Sequence, residues 1–490
     1  MRLHALLRCL NPCIDLSALP DVPVSGVSED SRTVRPGDLF VARPGTRTDG
    51  GRYIADAAAS GAVAVVAGRA IEGSPLPVAV VPRPGEAASV LANLLSGEPA
   101  RGLKVLGVTG TNGKTTTTYL VRHLLRRRGL ACGLIGTVQI DDGRGARIAE
   151  MTTPPAAEIA TLLATMRDNG CAACAIEASS HALDQGRVAG VRFAGAAFTN
   201  LSGDHLDYHG TMENYAAAKA RLFESLDESA VAAVNVDDPW HRTMVRACRG
   251  RIVGWGFGES ADYQAMAVET DAEGAGFILR TPAGQTPVRM RLVGRHNIAN
   301  ALAAAALTAE TFGFSPVQIA EGLSDAPGAP GRLQRVEIPR PFSVLVDYAH
   351  TDDALRNVLK ALRPLTRGKL RVVFGCGGDR DKTKRPRMAR VASELADALY
   401  ITSDNPRTEN PEAIINDIRS GLDVDEASAA PRVVVEIDRR LAIRRAIGDA
   451  AEGDVVLLAG KGHENYQIVG AEKRHFDDVE EAMLAATEST

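Results

Sequence analysis

Residues 107–118 read Gly-Val-Thr-Gly-Thr-Asn-Gly-Lys-Thr-Thr-Thr-Thr, and what flanks them decides the fold. A short apolar run, Lys104 to Val108, leads in and reads as a buried strand. A helical pattern follows, with Tyr119, Leu120, Val121, Leu124 and Leu125 on one side and Gly129 just past the end. Strand, glycine loop and helix form the context in which a loop can wrap an anion. Glycines let backbone N–H groups turn inward, the helix N-terminus adds partial positive charge, Lys114 adds a full charge, and Thr115 can hold a magnesium ion. Gly110, Thr111, Asn112, Gly113, Lys114, Thr115 and Thr116 are therefore expected to hold a nucleoside triphosphate. The spacing departs from G-x-x-x-x-G-K-[ST]: that pattern wants glycine at 108, which is Val108, and the glycines here are Gly107, Gly110 and Gly113.

At 490 residues the chain is long enough for about three domains. A hydrophobic fraction of 45% and a charged fraction of 24% are those of an ordinary soluble globular protein. The formal net charge of −4 argues against a nucleic-acid binder, which would carry a basic surplus. No apolar run is long enough to span a bilayer. The segment Leu3 to Leu10 is interrupted by His4 and Arg8 and reads as an amphipathic helix rather than a secretory signal. Seven cysteines without such a signal suggest reduced thiols and a cytoplasmic location. Cys171 and Cys174 have no second pair or nearby histidine to complete a metal site, and read as small residues at a helix-to-strand junction.

Pro75, Pro77, Pro82, Pro84 and Gly97-Glu98-Pro99 place a boundary near residue 100. Beyond it, strands at 172–177, 194–199 and 230–236 alternate with helical patterns at 156–168, 212–226 and 297–312. This is the βαβ rhythm of a mainly parallel sheet. The breaker at 325–331 marks a second boundary near 335. Apolar runs at 343–347, 370–375, 398–402, 432–436 and 454–459, each separated by a helix-sized segment, then predict a second α/β unit. The fold class is α/β in three domains: 1–100, a central phosphate-loop domain at 101–335 with a mainly parallel sheet, and a Rossmann-like domain at 336–490.

Ligands of open α/β sheets sit at the carboxyl ends of strands, so polar residues there carry the chemistry. Glu177 ends an apolar run and is followed by Ala178-Ser179-Ser180-His181. Alone it would be a solvated loop carboxylate; beside the phosphate loop it is placed to hold magnesium. The next strand end supplies Asp204-His205-Leu206-Asp207-Tyr208-His209, a polar group costly to bury unless it binds something. Lys219 lies on a predicted helix and, by composition, reads as an ordinary exposed lysine. Asn297 can cap the alanine-rich helix that follows Gly294-Arg295-His296, whereas Asn300 lies one turn on. In the last third, four strand ends carry Asp347-Tyr348-Ala349-His350, Gly375-Cys376-Gly377-Gly378-Asp379-Arg380, Asp404-Asn405-Pro406-Arg407-Thr408-Glu409 and Gly460-Lys461-Gly462-His463-Glu464. That domain should have its own crevice, in which Arg380 and Arg407 can fork onto a carboxylate.

Taken together and in this order, these segments resemble the Mur ligases, the ATP-dependent ligases of peptidoglycan precursor synthesis. The resemblance runs over nearly the whole chain. The 404–407 segment is similar to that of the branch that adds meso-diaminopimelate as third peptide residue. The early Asp30-Ser31-Arg32 and Gly37-Asp38-Leu39-Phe40 resemble the UDP-sugar-binding domain of that branch. One departure is Asp352, where the family commonly has proline after Ala-His-Thr.

The resemblance implies an ADP-forming ligation through an acyl phosphate, with ATP, UDP-N-acetylmuramoyl-L-alanyl-D-glutamate and meso-diaminopimelate as small-molecule substrates. It also implies Mg2+; a monomer is expected, and because sites on three domains must meet, closure of the C-terminal domain is expected during the reaction. Lys219 resembles the family's carbamylated lysine, and Thr115, Glu177 and His205 its magnesium environment. Lys114, Asn297, Asn300, Arg332 and Asp347 match contacts to nucleotide and transition state. Ser31, Thr46, Arg47, Thr48, Thr152, Thr153, Ser179, Gln185 and Arg187 match contacts to the UDP-linked dipeptide. Arg380, Asp404, Asn405, Pro406, Arg407, Gly460 and Glu464 match the diaminopimelate pocket. Two other readings compete. The related folylpolyglutamate synthases share the ATPase core, but about 100 residues precede the loop here. A nucleotide-driven switch would not need carboxylate-reading clusters in its last domain.

Overall fold

The computed structural model describes residues 1–488 apart from 13, 18, 46–48, 272 and 423–430. The chain divides into two compact units. One comprises Met1–Ala265, Leu279–Gln285 and Ala299–Gly322; the other comprises Met266–Ile278, Thr286–Ile298 and Leu323–Thr490.

The first unit begins with a parallel sheet of β1 (Gly26–Ser28), β2 (Asp38–Ala42), β3 (Ala64–Ala67) and β4 (Val78–Val80), in that order. The helix Leu3–Leu10 forms where the amphipathic pattern predicts it. Leu3, Leu6 and Leu7 fall on one face at helical spacing and are fully buried. They pack in one apolar cluster with Leu39 and Val41 of β2 and with Ala88 and Leu91 of the helix Pro84–Leu95.

The larger sheet of this unit is built on β5 (Lys104–Thr109), β6 (Cys132–Ile135), β7 (Gln139–Asp141), β8 (Ala146–Ile148), β9 (Ala173–Glu177), β10 (Phe193–Phe198), β11 (Val231–Asn235) and β12 (Arg251–Gly256). Their order is β12-β11-β10-β5-β9-β6-β7-β8. From β12 to β6 neighbours are parallel; β7 and β8 are antiparallel additions at the edge. Every residue of β9 is buried, as a strand covered on both faces requires. The helices Ala156–Asp168 and Met212–Glu224 supply Ile159, Leu163, Leu222 and Phe223 to the cluster that also holds Ile176 and Phe198. From β5 the chain moves to one side for β6 and β9 and to the other for β10. The order therefore reverses beside β5, the place where such sheets bind ligands.

Among the strands the sequence reading does not name are β13 (Tyr263–Asp271), β14 (Gly274–Thr281) and β15 (Gly284–Met290), which follow β12 in the strand order. β15 alternates exposed and buried positions from Thr286 onward, but Pro287 within the run and Gly284 at its start hide the strand pattern.

The second unit carries β16 (Gln334–Val336), β17 (Ser343–Asp347), β18 (Leu370–Phe374), β19 (Ala398–Ile401), β20 (Arg432–Val435) and β21 (Val455–Ala459). Their order is β16-β17-β21-β18-β19-β20, all parallel except β16. Helices Asp352–Leu362, Lys384–Leu395 and Pro411–Arg419 pack Leu355, Met388 and Ile414 against Leu370 and Phe374 on one face. Helices Arg439–Gly448 and Asp478–Glu488 pack Ile443 and Ala482 against Val373 and Val456 on the other. The departure at Asp352 leaves the helix start intact: Thr351 caps it, accepting from the Ala354 N–H. A hairpin of β22 (Tyr466–Val469) and β23 (Glu472–His475) follows β21. Among the described residues no helix is long and apolar enough to cross a membrane.

Candidate active site

At the carboxyl end of β5 the chain turns through Gly110 (φ 148°) and Gly113 (φ 84°) into the helix Lys114–Arg127. Both glycines are required twice over: by their positive φ, and because a Cβ would run into Thr199 Oγ1 at the first and Asn300 Oδ1 at the second. The segment after β10 holds the loop in place. Thr199 Oγ1 donates to Asn112 O at 2.6 Å, Asn112 N donates to Asn200 Oδ1 at 3.1 Å, and Thr111 N donates to Asn200 O at 2.8 Å. Lys114 Nζ curls back onto Gly110 O (2.9 Å) and Thr111 O (2.8 Å).

Lys219 corrects the reading from composition: it is 1% exposed, not a surface lysine. The helix Met212–Glu224 aims it at the loop, where Nζ donates to Gly110 O at 2.8 Å and lies 4.5 Å from the centre of the Tyr215 ring. Burial pushes its ammonium well below the ordinary lysine range, and Lys114 adds repulsion that Asp204 opposes. Two lysine nitrogens thus converge on one carbonyl oxygen, and burial disfavours the charge on one of them.

Glu177, at the end of β9, is 1% exposed. Its Oε2 accepts from Thr115 Oγ1 at 3.0 Å and from Thr137 Oγ1 at 3.0 Å, and its Oε1 accepts from Thr137 N at 2.8 Å. Thr137, just past β6, was missed from sequence. A threonine after a glycine carries no local signal; its role appears only when the sheet order sets β6 beside β9. Thr116 is buried in the same first turn of the helix.

The dipeptide set is partly assembled. Thr153 Oγ1 donates to Glu177 O (2.7 Å) and Ser179 Oγ (3.1 Å), and Thr152 Oγ1 lies 3.0 Å from Thr137 Oγ1. Arg187 donates to Thr153 O at 2.8 Å and, through Nη2, to Gln185 Oε1 at 2.7 Å. Arg43, unnoticed in the sequence, reaches both Glu29 and Gln185. Ser31 is buried in the short turn Ser31–Thr33, apart from this hydrogen-bonded group. Thr46, Arg47 and Thr48 lie outside the described residues.

His205 is not brought into hydrogen-bonding contact with Thr115 or Glu177 among the described residues. It is exposed, with φ 54°, 3.6 Å from Asp204 Oδ2 and edge-on to His181 at 4.8 Å. Asp204 and Asp207 are exposed as well, so the expectation of a costly buried polar group holds only for His209, which is 8% exposed and lies 3.0 Å from Ser180 Oγ.

Asn297 also differs from expectation. The helix runs Arg295–Phe312, so Asn297 sits inside its first turn rather than ahead of it, and Nδ2 donates to Val293 O at 2.9 Å. Asn300, 6% exposed, is the residue that meets Gly113.

In the second unit, Asp347 ends β17. Its Oδ2 accepts from Leu333 N at 2.7 Å and its Oδ1 from Ala349 N at 2.9 Å. Burial raises its carboxyl above the usual range, while Arg332 and the two N–H donors oppose the shift. The Arg332 guanidinium lies 4.9 Å from the centre of the Tyr348 ring, and Arg332 Nε is buried without a hydrogen-bond partner among the described residues.

The ends of β19 and β21 form one polar group. Asn405 Nδ2 donates to Glu464 Oε2 at 2.9 Å, and Asn405 Oδ1 accepts from Ile468 N at 2.9 Å. Gly460 lies against Asp404, where a Cβ would be 2.9 Å from Oδ2. Lys461, quoted in the sequence but given no role there, is fully buried, 3.8 Å from Asp404 Oδ1 and 3.5 Å from Glu464 Oε2. Burial and the neighbouring Asp404 raise the Glu464 carboxyl; Lys461 opposes them. Pro406 is buried, and Arg407 follows it with φ 52° and donates to Gly378 O at 2.7 Å. Arg380 is exposed at the neighbouring strand end.

A glycine loop with two converging lysines at one sheet and a polar group of Asp404, Asn405, Lys461 and Glu464 at another offer the charges that joining an activated acid to an amino acid requires. Comparison with known proteins agrees. Descriptions of the Mur ligase family match residues 23–93 (catalytic domain), 108–308 (middle domain) and 331–462 (glutamate ligase domain). The UDP-N-acetylmuramoyl-L-alanyl-D-glutamate--2,6-diaminopimelate ligase of Gloeobacter violaceus is 47% identical, over 99% of this chain and 98% of its own. The ligase of the same name from Syntrophomonas wolfei is 41% identical over 98% and 97%. A solved structure of a ligase of that name is 35% identical, covers 98% of both chains and superposes with a TM-score of 0.72. The chain belongs to the Mur ligase family.

Proposed function

We propose that the protein joins meso-diaminopimelate to UDP-N-acetylmuramoyl-L-alanyl-D-glutamate at the expense of ATP. The D-glutamyl carboxylate attacks the γ-phosphorus of ATP, ADP leaves, and an acyl phosphate forms. The amine of diaminopimelate then attacks the carbonyl carbon, its proton is lost, and phosphate is expelled as the amide forms. The observation that carries this reading is Lys219, buried beside the phosphate loop with its amine on Gly110 O, because a carbamate there would set an anion where the cation lay.

Lys114 binds the transferring phosphoryl group and offsets its developing charge. The Thr115 hydroxyl and the Glu177 carboxylate, 3.0 Å apart, are hard oxygen donors of the kind magnesium selects and would hold the ion; His205, exposed on the loop after β10, would have to leave its present position to join them. Among the described residues no ready-made cage of three or more His, Cys, Asp or Glu exists, which suits an ion that takes few protein ligands beside phosphate oxygens and water. When bound, magnesium neutralises phosphate charge. Thr152, Thr153, Ser179, Gln185 and Arg187, with Ser31 and residues 46–48, hold the UDP-linked dipeptide, and Arg187 supplies the cation for its carboxylate. Asn297, Asn300, Arg332 and Asp347 contact nucleotide and transition state. The reading includes a monomer and a cytoplasmic location.

Phosphate release from ATP tests it. Release should require both the UDP-linked dipeptide and meso-diaminopimelate, and should yield the amide. Release that ignores both organic substrates would mark a nucleotide switch, and release with a folate acceptor instead would mark the sister ligases. In the same assay Lys114→Ala should lower turnover by about 10²-fold, the scale for losing one preorganised charge at a transition state. The fold should survive, since the Lys114 side chain contributes little core. Near-normal turnover in the folded variant would remove the loop from the mechanism.

A further inference from the structure

Two loops at neighbouring strand ends, 377–380 after β18 and 404–409 after β19, carry Arg380 and Arg407. Each holds a non-glycine residue in the left-handed region, Asp379 at φ 54° and Arg407 at φ 52°. Such conformations persist only where surrounding bonds over-determine them, and they gather at functional sites. The Arg407 backbone is tied to the β22–β23 hairpin, its N–H donating to Ile468 O at 3.1 Å and its C=O accepting from Gly470 N at 2.7 Å, while the bonds between the two loops converge on Arg385 and Glu409. Arg385, on the helix Lys384–Leu395, has a side chain with no exposure at all. Its Nη2 donates to Glu409 Oε1 at 2.9 Å and its Nη1 to Glu409 Oε2 at 3.0 Å, a bidentate pair. The same Nη2 reaches Gly377 O at 3.3 Å, in the first loop, and Nη1 reaches Asp417 Oδ2 at 2.8 Å.

Glu409 passes the link on. Its Oε1 accepts from Asp379 N at 2.6 Å, and the Asp379 carboxylate in turn accepts from Thr408 Oγ1 at 2.7 Å and Thr408 N at 3.2 Å. Gly378 N donates to Asn405 O at 2.9 Å, and Arg407 Nη1 donates to Gly378 O at 2.7 Å. The Arg385 fork holds the Glu409 carboxyl down at about 2, so the pair stays ionised at any working pH.

We infer that the Arg385–Glu409 pair is the positioning element of amino-acid selection, fixing the two loops so that Arg407 presents its guanidinium to the second carboxylate of the incoming amino acid. The inference rests on the ligase reading above. Arg385 and Glu409 do not touch the amino acid; they act through Arg407. An amino acid lacking the second carboxylate gains nothing from their placement.

The test is steady-state kinetics of the full-length enzyme with each substrate varied in turn, on the wild type, Glu409→Gln and Arg385→Lys. The expected result is a KM for meso-diaminopimelate raised by about 10–100-fold, the scale on which losing the partner that orients a ligand-holding side chain operates. The kcat and the KM values for ATP and the UDP-linked dipeptide should stay near wild type. Discrimination against L-lysine should fall by the same factor as the diaminopimelate KM rises. An unchanged diaminopimelate KM overturns the inference, and so does a loss of kcat that raises every KM alike, which is what mere loosening of the fold gives. Thr408→Val removes one link at an exposed position and keeps the test open if the buried variants do not fold. A selective rise in the diaminopimelate KM supports the inference there too, and no rise overturns it. A wild-type enzyme that fails to use meso-diaminopimelate at all overturns the ligase reading itself, a result distinct from any of these.

Discussion

The wild-type protein should use meso-diaminopimelate better than L-lysine by about 10⁴-fold in kcat/KM, because a site built around a charged contact rejects the analogue that leaves it unmade. The two amino acids differ by one carboxylate at the far end. Arg407 follows the rigid Pro406, and its donation to Gly378 O at 2.7 Å fixes the plane of the guanidinium. One of five N–H groups is used there, leaving a fork for a carboxylate. The fully buried Lys461 lies 3.8 Å from Asp404 and 3.5 Å from Glu464, so two acids face one cation and can meet the distal ammonium of the ligand. With lysine bound, the ammonium would be met but Arg407 would face no anion. Arg407→Ala should therefore harm diaminopimelate use far more than ATP binding. Comparable kcat/KM values for the two amino acids in the wild type would show the pocket to be misassigned.

Lys219→Ala should reduce turnover by about 10³-fold, the upper end of the range for losing one preorganised electrostatic group. The change removes an anion-forming side chain and leaves a void beneath the phosphate loop. A small added carboxylate should restore part of the activity by entering that void. Lys219→Arg should not be rescued by its own charge, since a guanidinium stays protonated and cannot become a carbamate. The chemistry sets the pH dependence. Carbon dioxide adds to the neutral amine, an N–C bond forms and a proton is lost. Burial lowers the amine pKa, so the reactive neutral form persists to lower pH than in a solvated lysine and disappears as the pH falls through that lowered value. Reactivation of carbonate-depleted enzyme by bicarbonate should accordingly fade toward acid. Intact-mass measurement showing unmodified Lys219 in fully active enzyme would end the carbamate assignment.

The phosphate loop, its strand and its helix were legible in the sequence because each carries its own local pattern: an apolar run, glycines at fixed points and a one-sided helix. The strand ends of the last third were legible for the same reason. What stayed hidden depends on neighbours far apart in the chain. Lys219 looks like any helical lysine until the sheet order sets its helix over Gly110. Thr137 and Arg43 meet Glu177 and Gln185, residues far from them in the chain, only in the folded protein. Lys461 was visible between two glycines, but its role as counter-ion appears only when β19 and β21 both deliver acids to it. In β14 and β15 glycine and proline interrupt the alternation, whereas β13 contains neither and has no such cause.

The clamp on the phosphate loop has a consequence for how the protein is made. Thr111 is bonded to Ser202 across 91 residues of chain, and β5 is flanked by β9 and β10, both synthesised long after it. At a ribosomal pace of about 5–20 residues per second, the loop waits roughly 5–20 s for the segment that fixes it. Until Ala173–Glu177 is made the apolar strand has two edges without their native partners, open to pairing with another nascent chain. The nucleotide itself cannot shelter the strand during those seconds, because the segment that holds its binding loop in shape has not yet been translated.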